Sequence, residues 1–187
     1  MSSILTPYRT LCLLVLSLIT ASTLLVGCAS HDIAQYTAER PRLELDRFFN
    51  GKVTAHGIFQ NRSGQVVRRF TVDMDGKWEG NQGVLDERFT YSDGKTERRI
   101  WRLTKMADGH YTGTADDVAG IATGRASGNA FQWAYTLKLP VDGTVYEVQF
   151  DDWMYLVDER VMLNRATMSK FGIRLGEVTL SFQKQAP

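Results

Sequence analysis

Residues 119–152 read AGIATGRASGNAFQWAYTLKLPVDGTVYEVQFDD, and this stretch decides the fold. Two turn dipeptides, Gly128-Asn129 and Asp142-Gly143, cut it into three segments that alternate with a period of two. Such dipeptides between alternating runs are strong hairpin signals. A two-residue loop at Gly128-Asn129 sets Ala126 opposite Phe131, Gly124 opposite Trp133, Ala122 opposite Tyr135 and Gly120 opposite Leu137. One strand then offers only small residues where its neighbour offers only large ones, so rings can lie across the glycines. A two-residue loop at Asp142-Gly143 sets Leu139 opposite Tyr146, Leu137 opposite Val148 and Tyr135 opposite Phe150, with Lys138 meeting Glu147 on the other face. A slip of one residue would scramble both faces, which fixes the register. Asp152 falls on the Tyr146-Val148-Phe150 face, opposite Trp133.

The pattern extends outward in both directions. Further turn signals stand at Arg62-Ser63-Gly64, Asp75-Gly76, Asp93-Gly94 and Asp108-Gly109. They delimit candidate strands at 52–60, 65–74, 83–91, 95–105, 110–117, 119–127, 130–139, 144–152, 153–157, 161–168 and 175–183, with Lys170-Phe171-Gly172 as the turn before the last. Spacing of this kind predicts an all-β antiparallel meander, and residues 43–187 can close about eight to ten strands into a barrel without exposed edges. The alternative is an open β-sandwich. Leu43–Phe49 is expected to form a short helix with Leu45, Phe48 and Phe49 on one face. A three-residue loop at Ser92-Asp93-Gly94 sets Leu85 opposite Trp101, Glu87 opposite Arg99 and Phe89 opposite Glu97.

If these faces point inward, the interior is aromatic with a few charged groups, as in a cavity for an amphipathic ligand. The candidate ligand-binding residues are Arg99, Glu87, Trp101, Phe89, Trp133, Tyr135 and Asp152, with Arg99 as partner for a lipid carboxylate. The alternatives are an enzyme of the same shape using Asp152 or Glu87 as acid or base, and a structural protein whose barrel is filled and braced by the Glu87-Arg99 pair.

The start of the chain has a different character. Arg9 precedes the apolar run Leu11–Val26, which ends at Leu25-Val26-Gly27-Cys28. That layout is a secretory signal, and its ending resembles the bacterial lipoprotein signal, in which a small residue precedes a lipid-modified cysteine. The resemblance implies a signal peptide over 1–27, acylation of Cys28 and a lipidated tether over 28–42. Ala29 and Ser30 follow instead of the aspartate that retains such proteins in the inner membrane, which implies anchoring at the periplasmic face of the outer membrane. An uncleaved anchor is the competing reading, since the run approaches the length of a membrane span.

Composition narrows the rest. The 187 residues carry 22 Lys+Arg against 21 Asp+Glu, so no basic footprint for nucleic acid exists. Of the two cysteines, Cys12 lies in the signal and Cys28 at its end, which leaves no disulfide or thiol chemistry in the barrel. His31, His56 and His110 are scattered, and no metal, phosphate-binding or cofactor motif is found. Asp116-Asp117 and Asp151-Asp152 are neighbours, and in a strand each pair would be split between two faces, as would Arg98-Arg99.

The set Phe48-Phe49-x-Gly51, Phe89-x-Tyr91-x-Asp93-Gly94, Arg99-x-Trp101, Asp117-Val118-x-Gly120-x-Ala122-x-Gly124, Gly128-Asn129-Ala130, Asp151-Asp152-Trp153-Met154 and Lys170-Phe171-Gly172 resembles a family of proteobacterial lipoproteins. That family is known as domain of unknown function 3833. The resemblance spans about Leu43 to Lys184 and implies a lipocalin-like β-barrel lipoprotein with a fatty acid or other lipid as ligand. It implies no catalytic residue and names no protein partner.

Overall fold

The computed structural model describes residues 31–186. The expected signal peptide and Cys28 lie outside the described residues. Alternation carries the chain through ten strands: β1 (Gly51–Asn61), β2 (Val66–Glu79), β3 (Gln82–Tyr91), β4 (Thr96–Lys105), β5 (His110–Thr114), β6 (Val118–Ser127), β7 (Ala130–Val141), β8 (Thr144–Leu156), β9 (Val161–Lys170) and β10 (Ile173–Lys184). Each pairs antiparallel with its sequence neighbours, and β10 pairs with β1, so the sheet closes into a barrel. The open sandwich is thereby excluded. The break expected near 152–153 is absent, because inward residues continue as Val148, Phe150, Asp152, Met154 and Leu156 along β8.

The hairpin registers follow the turn chemistry. Leu85↔Trp101, Glu87↔Arg99 and Phe89↔Glu97 pair across β3 and β4. Tyr135↔Phe150, Leu137↔Val148, Leu139↔Tyr146, Lys138↔Glu147 and Trp133↔Asp152 pair across β7 and β8. Across β6 and β7, Ala126↔Phe131 and Gly124↔Trp133 hold. The expected pairing of Gly120 with Leu137 does not: a bulge between Ala119 and Thr123 brings Val118 opposite Leu137 instead. Gly120 supplies the positive φ of 72° that turns the chain outward there.

At Gly124 the absence of a side chain is a packing requirement. A Cβ there would sit 2.5 Å from the Trp133 ring and 2.4 Å from the Gln132 carbonyl.

One end of the barrel is closed. The helical turn α1 (Leu45–Phe48) and Phe49 bury Leu45, Phe48 and Phe49 among the ends of the strands. Phe49 meets Phe182 edge-on at 5.8 Å. Lys105 holds Asp46 at 2.9 Å, and Lys184 donates to the carbonyls of Phe48 and Asn50 at 2.7 and 2.6 Å. The opposite end carries the turns at 62–65, 92–95, 115–117, 142–143 and 171–172.

A 3₁₀ turn, Ile33–Tyr36, precedes α1, and its Tyr36 ring lies 5.4 Å from Tyr155. Leu43 N–H donates to the Gly128 carbonyl at 2.8 Å. The compact unit therefore begins at Ile33, within the stretch expected to be tether.

The outer wall is polar. Arg98 faces out and clamps Asp86 at 2.9 and 3.0 Å, while Arg165 and Arg174 hold Glu177 at 2.6 and 2.7 Å. Apolar side chains point inward, the reverse of a membrane-spanning barrel. Among the described residues no helix is long and apolar enough to cross a membrane.

Candidate functional site

The barrel is not filled. A cavity of about 320 Å³ lies inside it, in the size range of small-molecule sites. It runs from Leu45 and Phe49 at the closed end to Phe59, Arg68, Tyr91 and Leu139 near the hairpin end. All seven residues expected to bind a ligand line it: Glu87, Phe89, Arg99, Trp101, Trp133, Tyr135 and Asp152. Strand alternation brings them there from β3, β4, β7 and β8.

The walls are aromatic. Tyr135 stacks on Phe150 at 5.0 Å and 6°, and Trp101 meets Tyr135 and Trp133 edge-on at 5.5 and 5.7 Å. The methionines Met154 and Met168 add flexible, polarizable surface on the β8–β9 side.

The charged groups are arranged differently from the expected Glu87-Arg99 brace. Arg99 does face Glu87, but at 3.9 Å through Nη1. Its principal partner is Asp117, which accepts from Nε at 2.8 Å and from Nη2 at 2.7 Å, a two-point grip on the guanidinium. Burial alone would depress the Arg99 pKa. The Asp117 hydrogen bond and the Glu87 charge more than offset this, so the net displacement is upward.

Asp117 was not among the expected site residues. It stands in the turn between β5 and β6, not in a strand, so the rule of opposite faces does not govern it. A carboxylate one turn before a bulge has no periodicity to mark it. Asp151 and Asp152 do lie in a strand and are split as expected: Asp151 is exposed and accepts from Gln132 and Trp153, while Asp152 is buried.

Asn164 is the second residue that sequence patterning passed over. It stands inward on β9, 2% exposed, and its amide donates to Asp152 Oδ1 and to the Trp153 carbonyl. Its own Oδ1 is buried without a hydrogen-bond partner. A lone asparagine in an alternating strand carries no sequence signal of this kind.

Desolvation dominates the two buried carboxyls. Glu87 is pushed up to about 7, because burial outweighs the attraction of Arg99, with Asp117 and Asp152 adding repulsion. Asp152 is likewise pushed up to about 7 by burial, against the lowering hydrogen bond from Asn164. Tyr135 is raised by burial and by the neighbouring carboxyls. Near neutral pH the cavity therefore presents two carboxyl groups poised between acid and carboxylate. Among the described residues no three His, Cys, Asp or Glu side chains converge on a metal-binding position.

Solved structures resemble this chain at low identity. An S-type phycobiliprotein lyase from Guillardia theta is 8% identical, with a TM-score of 0.58 over 78% of this chain and 95% of its own. A protein of unknown function from Nostoc punctiforme, of the DUF3598 family, is 12% identical, with a TM-score of 0.53 over 84% of this chain and 53% of its own. Lobster apocrustacyanin A1 is 18% identical, with a TM-score of 0.39 over 86% of this chain and 73% of its own. No curated protein matches the chain. A family model described as "Protein of unknown function (DUF3833)" matches residues 22–184, the whole barrel with the segment before it, and the chain belongs to that family.

Proposed function

We propose that this protein binds one small amphipathic lipid inside its barrel, from a position anchored by lipid on Cys28 at the periplasmic face of the outer membrane. The observation that carries the binding reading is the cavity. It is aromatic and closed at one end by α1, with Arg99, Glu87, Asp152 and Asn164 set into a mostly apolar wall. An apolar chain would lie along Phe131, Phe150 and Trp133, with its polar end near Arg99, Glu87 and Asp152. The fatty-acid version needs Arg99 to receive a carboxylate, and Asp117 already occupies that guanidinium. The anchoring part rests on Leu25-Val26-Gly27-Cys28 at the end of the apolar run. The Guillardia theta lyase, which shares the fold, is named for its action on phycobiliproteins.

Two experiments test the reading. Small molecules extracted from the purified protein and weighed by mass spectrometry should include one apolar-chain compound near equimolar amount. The compound should be missing from an Ala166→Phe variant, whose new ring enters the cavity wall opposite Asp152. Recovery of the compound from that variant in equal amount would place it outside the barrel. Cys28→Ala should abolish acyl labelling, and labelling that persists would remove Cys28 as the anchor.

A further inference from the structure

Acidic groups outnumber basic ones around the polar region of the cavity. The groups facing its polar region are Arg99 from β4, Glu87 from β3, Asp152 from β8 and Asp117 from the turn before β6. Arg68, nearer the hairpin end, is taken by Asp93 at 3.1 Å and lies 3.8 Å over the Tyr91 ring, whose hydroxyl donates to Glu97 at 2.8 Å. Those outer groups satisfy one another. In the inner set one guanidinium faces three carboxyls, and Asp117 holds it at both Nε and Nη2.

Glu87 keeps only the longer, 3.9 Å ion pair with Arg99 and a hydrogen bond from Trp101, and Asp152, held by the Asn164 amide, forms no ion pair among the described residues. Beside Asp152, Asn164 Oδ1 is a buried acceptor with no donor. Buried acceptors of this kind are normally satisfied by something. The missing component is a hydrogen-bond donor, and the charge count asks that it be positive. The surrounding rings of Trp101, Trp133 and Tyr135 agree, because a cation over an aromatic face is stabilised.

We infer that the molecule bound in this cavity carries a cationic nitrogen head, an ammonium or similar donor on an apolar chain, and that a free carboxylate head is excluded. The inference rests on the ligand-binding reading above and names its chemical class. An incoming ammonium sits between Glu87, Asp152 and Asn164 Oδ1 and supplies the counter-charge that the fold withholds. Both carboxyls then ionise, so binding near pH 7 releases protons to solvent. A carboxylate would add a fourth acid to the set and find the one guanidinium already engaged.

The test compares three ligands with one chain, decylammonium, decanol and decanoate, each below its micelle-forming concentration, by calorimetric titration at pH 8. The barrel unit from residue 31 onward is used, since every strand and the α1 plug lie within it. Decylammonium should bind about tenfold or more tightly than decanol, the size of one charge-assisted hydrogen bond, and decanoate about tenfold more weakly. On the unaltered protein at pH 7, decylammonium binding measured in two buffers of different ionisation heat should show net proton release. In a Glu87→Gln, Asp152→Asn double variant the ammonium should lose its advantage over decanol. In Asp117→Asn, which frees Arg99, decanoate should gain. Equal binding of all three ligands overturns the inference and leaves the cavity reading intact. Proton uptake instead of release, or an ammonium preference that survives the double variant, also overturns it. Binding of none, decanol included, overturns both.

Discussion

Asp152→Asn should make the protein more stable, and increasingly so as pH rises. Asp152 is 7% exposed, and burial lifts its pKa from 3.8 to about 7. A carboxyl whose folded pKa lies above its unfolded one binds more protons in the folded state between those two values. Stability from this group is therefore full below about pH 4, falls through the window from about 4 to 7, and stays reduced above it. At about 1.4 kcal/mol per pKa unit, the ionised carboxylate costs the fold on the order of 4 kcal/mol at pH 8. Asparagine keeps the shape and can still accept from the Asn164 amide, but it has no charge to desolvate. Urea unfolding of wild type and variant at pH 4, 5, 6, 7 and 8 measures the difference directly. Carboxylates such as Asp86 and Glu177, whose arginine partners lower their pKa values, titrate with the opposite sign and cancel in that difference. The two curves should converge near pH 4 and separate by a few kcal/mol by pH 8. Parallel curves would show that Asp152 is solvated, and the desolvation argument for the cavity would fail with it.

Other consequences follow from packing. Gly124→Val places a branched side chain where Trp133 and the Gln132 carbonyl already stand, and overpacking of this kind costs about 1 to 3 kcal/mol. A neutral or raised melting temperature would contradict the observed pairing of these strands, since valine by itself suits a strand. Phe49→Ala removes a ring that closes the barrel against Phe48 and Phe182, at a cost of about 3 to 5 kcal/mol in chemical denaturation. A loss below 1 kcal/mol would mean that the α1 plug is dispensable.

The barrel was legible because turn chemistry and alternation act locally. Asp142-Gly143 and Ser92-Asp93-Gly94 each fix a register, and a fixed register dictates which side chains face inward. For that reason the sequence sets Glu87, Arg99 and Trp101 on one hairpin face and Trp133, Tyr135 and Asp152 on another, and the structure turns both faces inward. What lay beyond the sequence depends on irregularity or on contact between distant segments. The bulge after Ala119 has only Gly120 to announce it, and Gly120 also fits a regular strand. Asp117 reaches Arg99 from a turn 18 positions further along the chain, so no period connects them. Asn164 meets Asp152 only because β8 and β9 pair side by side. Asp117 and Asn164 together change the reading of the site, since Asp117 engages Arg99, which leaves Glu87 only its 3.9 Å ion pair and Asp152 an amide in place of a cation. The docking of Ile33–Tyr36 on the barrel was missed for a similar reason: a polar stretch with no apolar period can still lay one tyrosine ring against Tyr155.

The central claim is that the barrel holds a ligand within its cavity, and fluorescence titration of the barrel unit with decanol tests it most directly. Trp101 and Trp133 both line the cavity and report on its occupancy. The account predicts a saturable change with one molecule bound per chain, lost in Ala166→Phe and retained in a variant of the outer wall such as Arg98→Gln. A titration without saturation, or one that Ala166→Phe leaves unchanged, would contradict it.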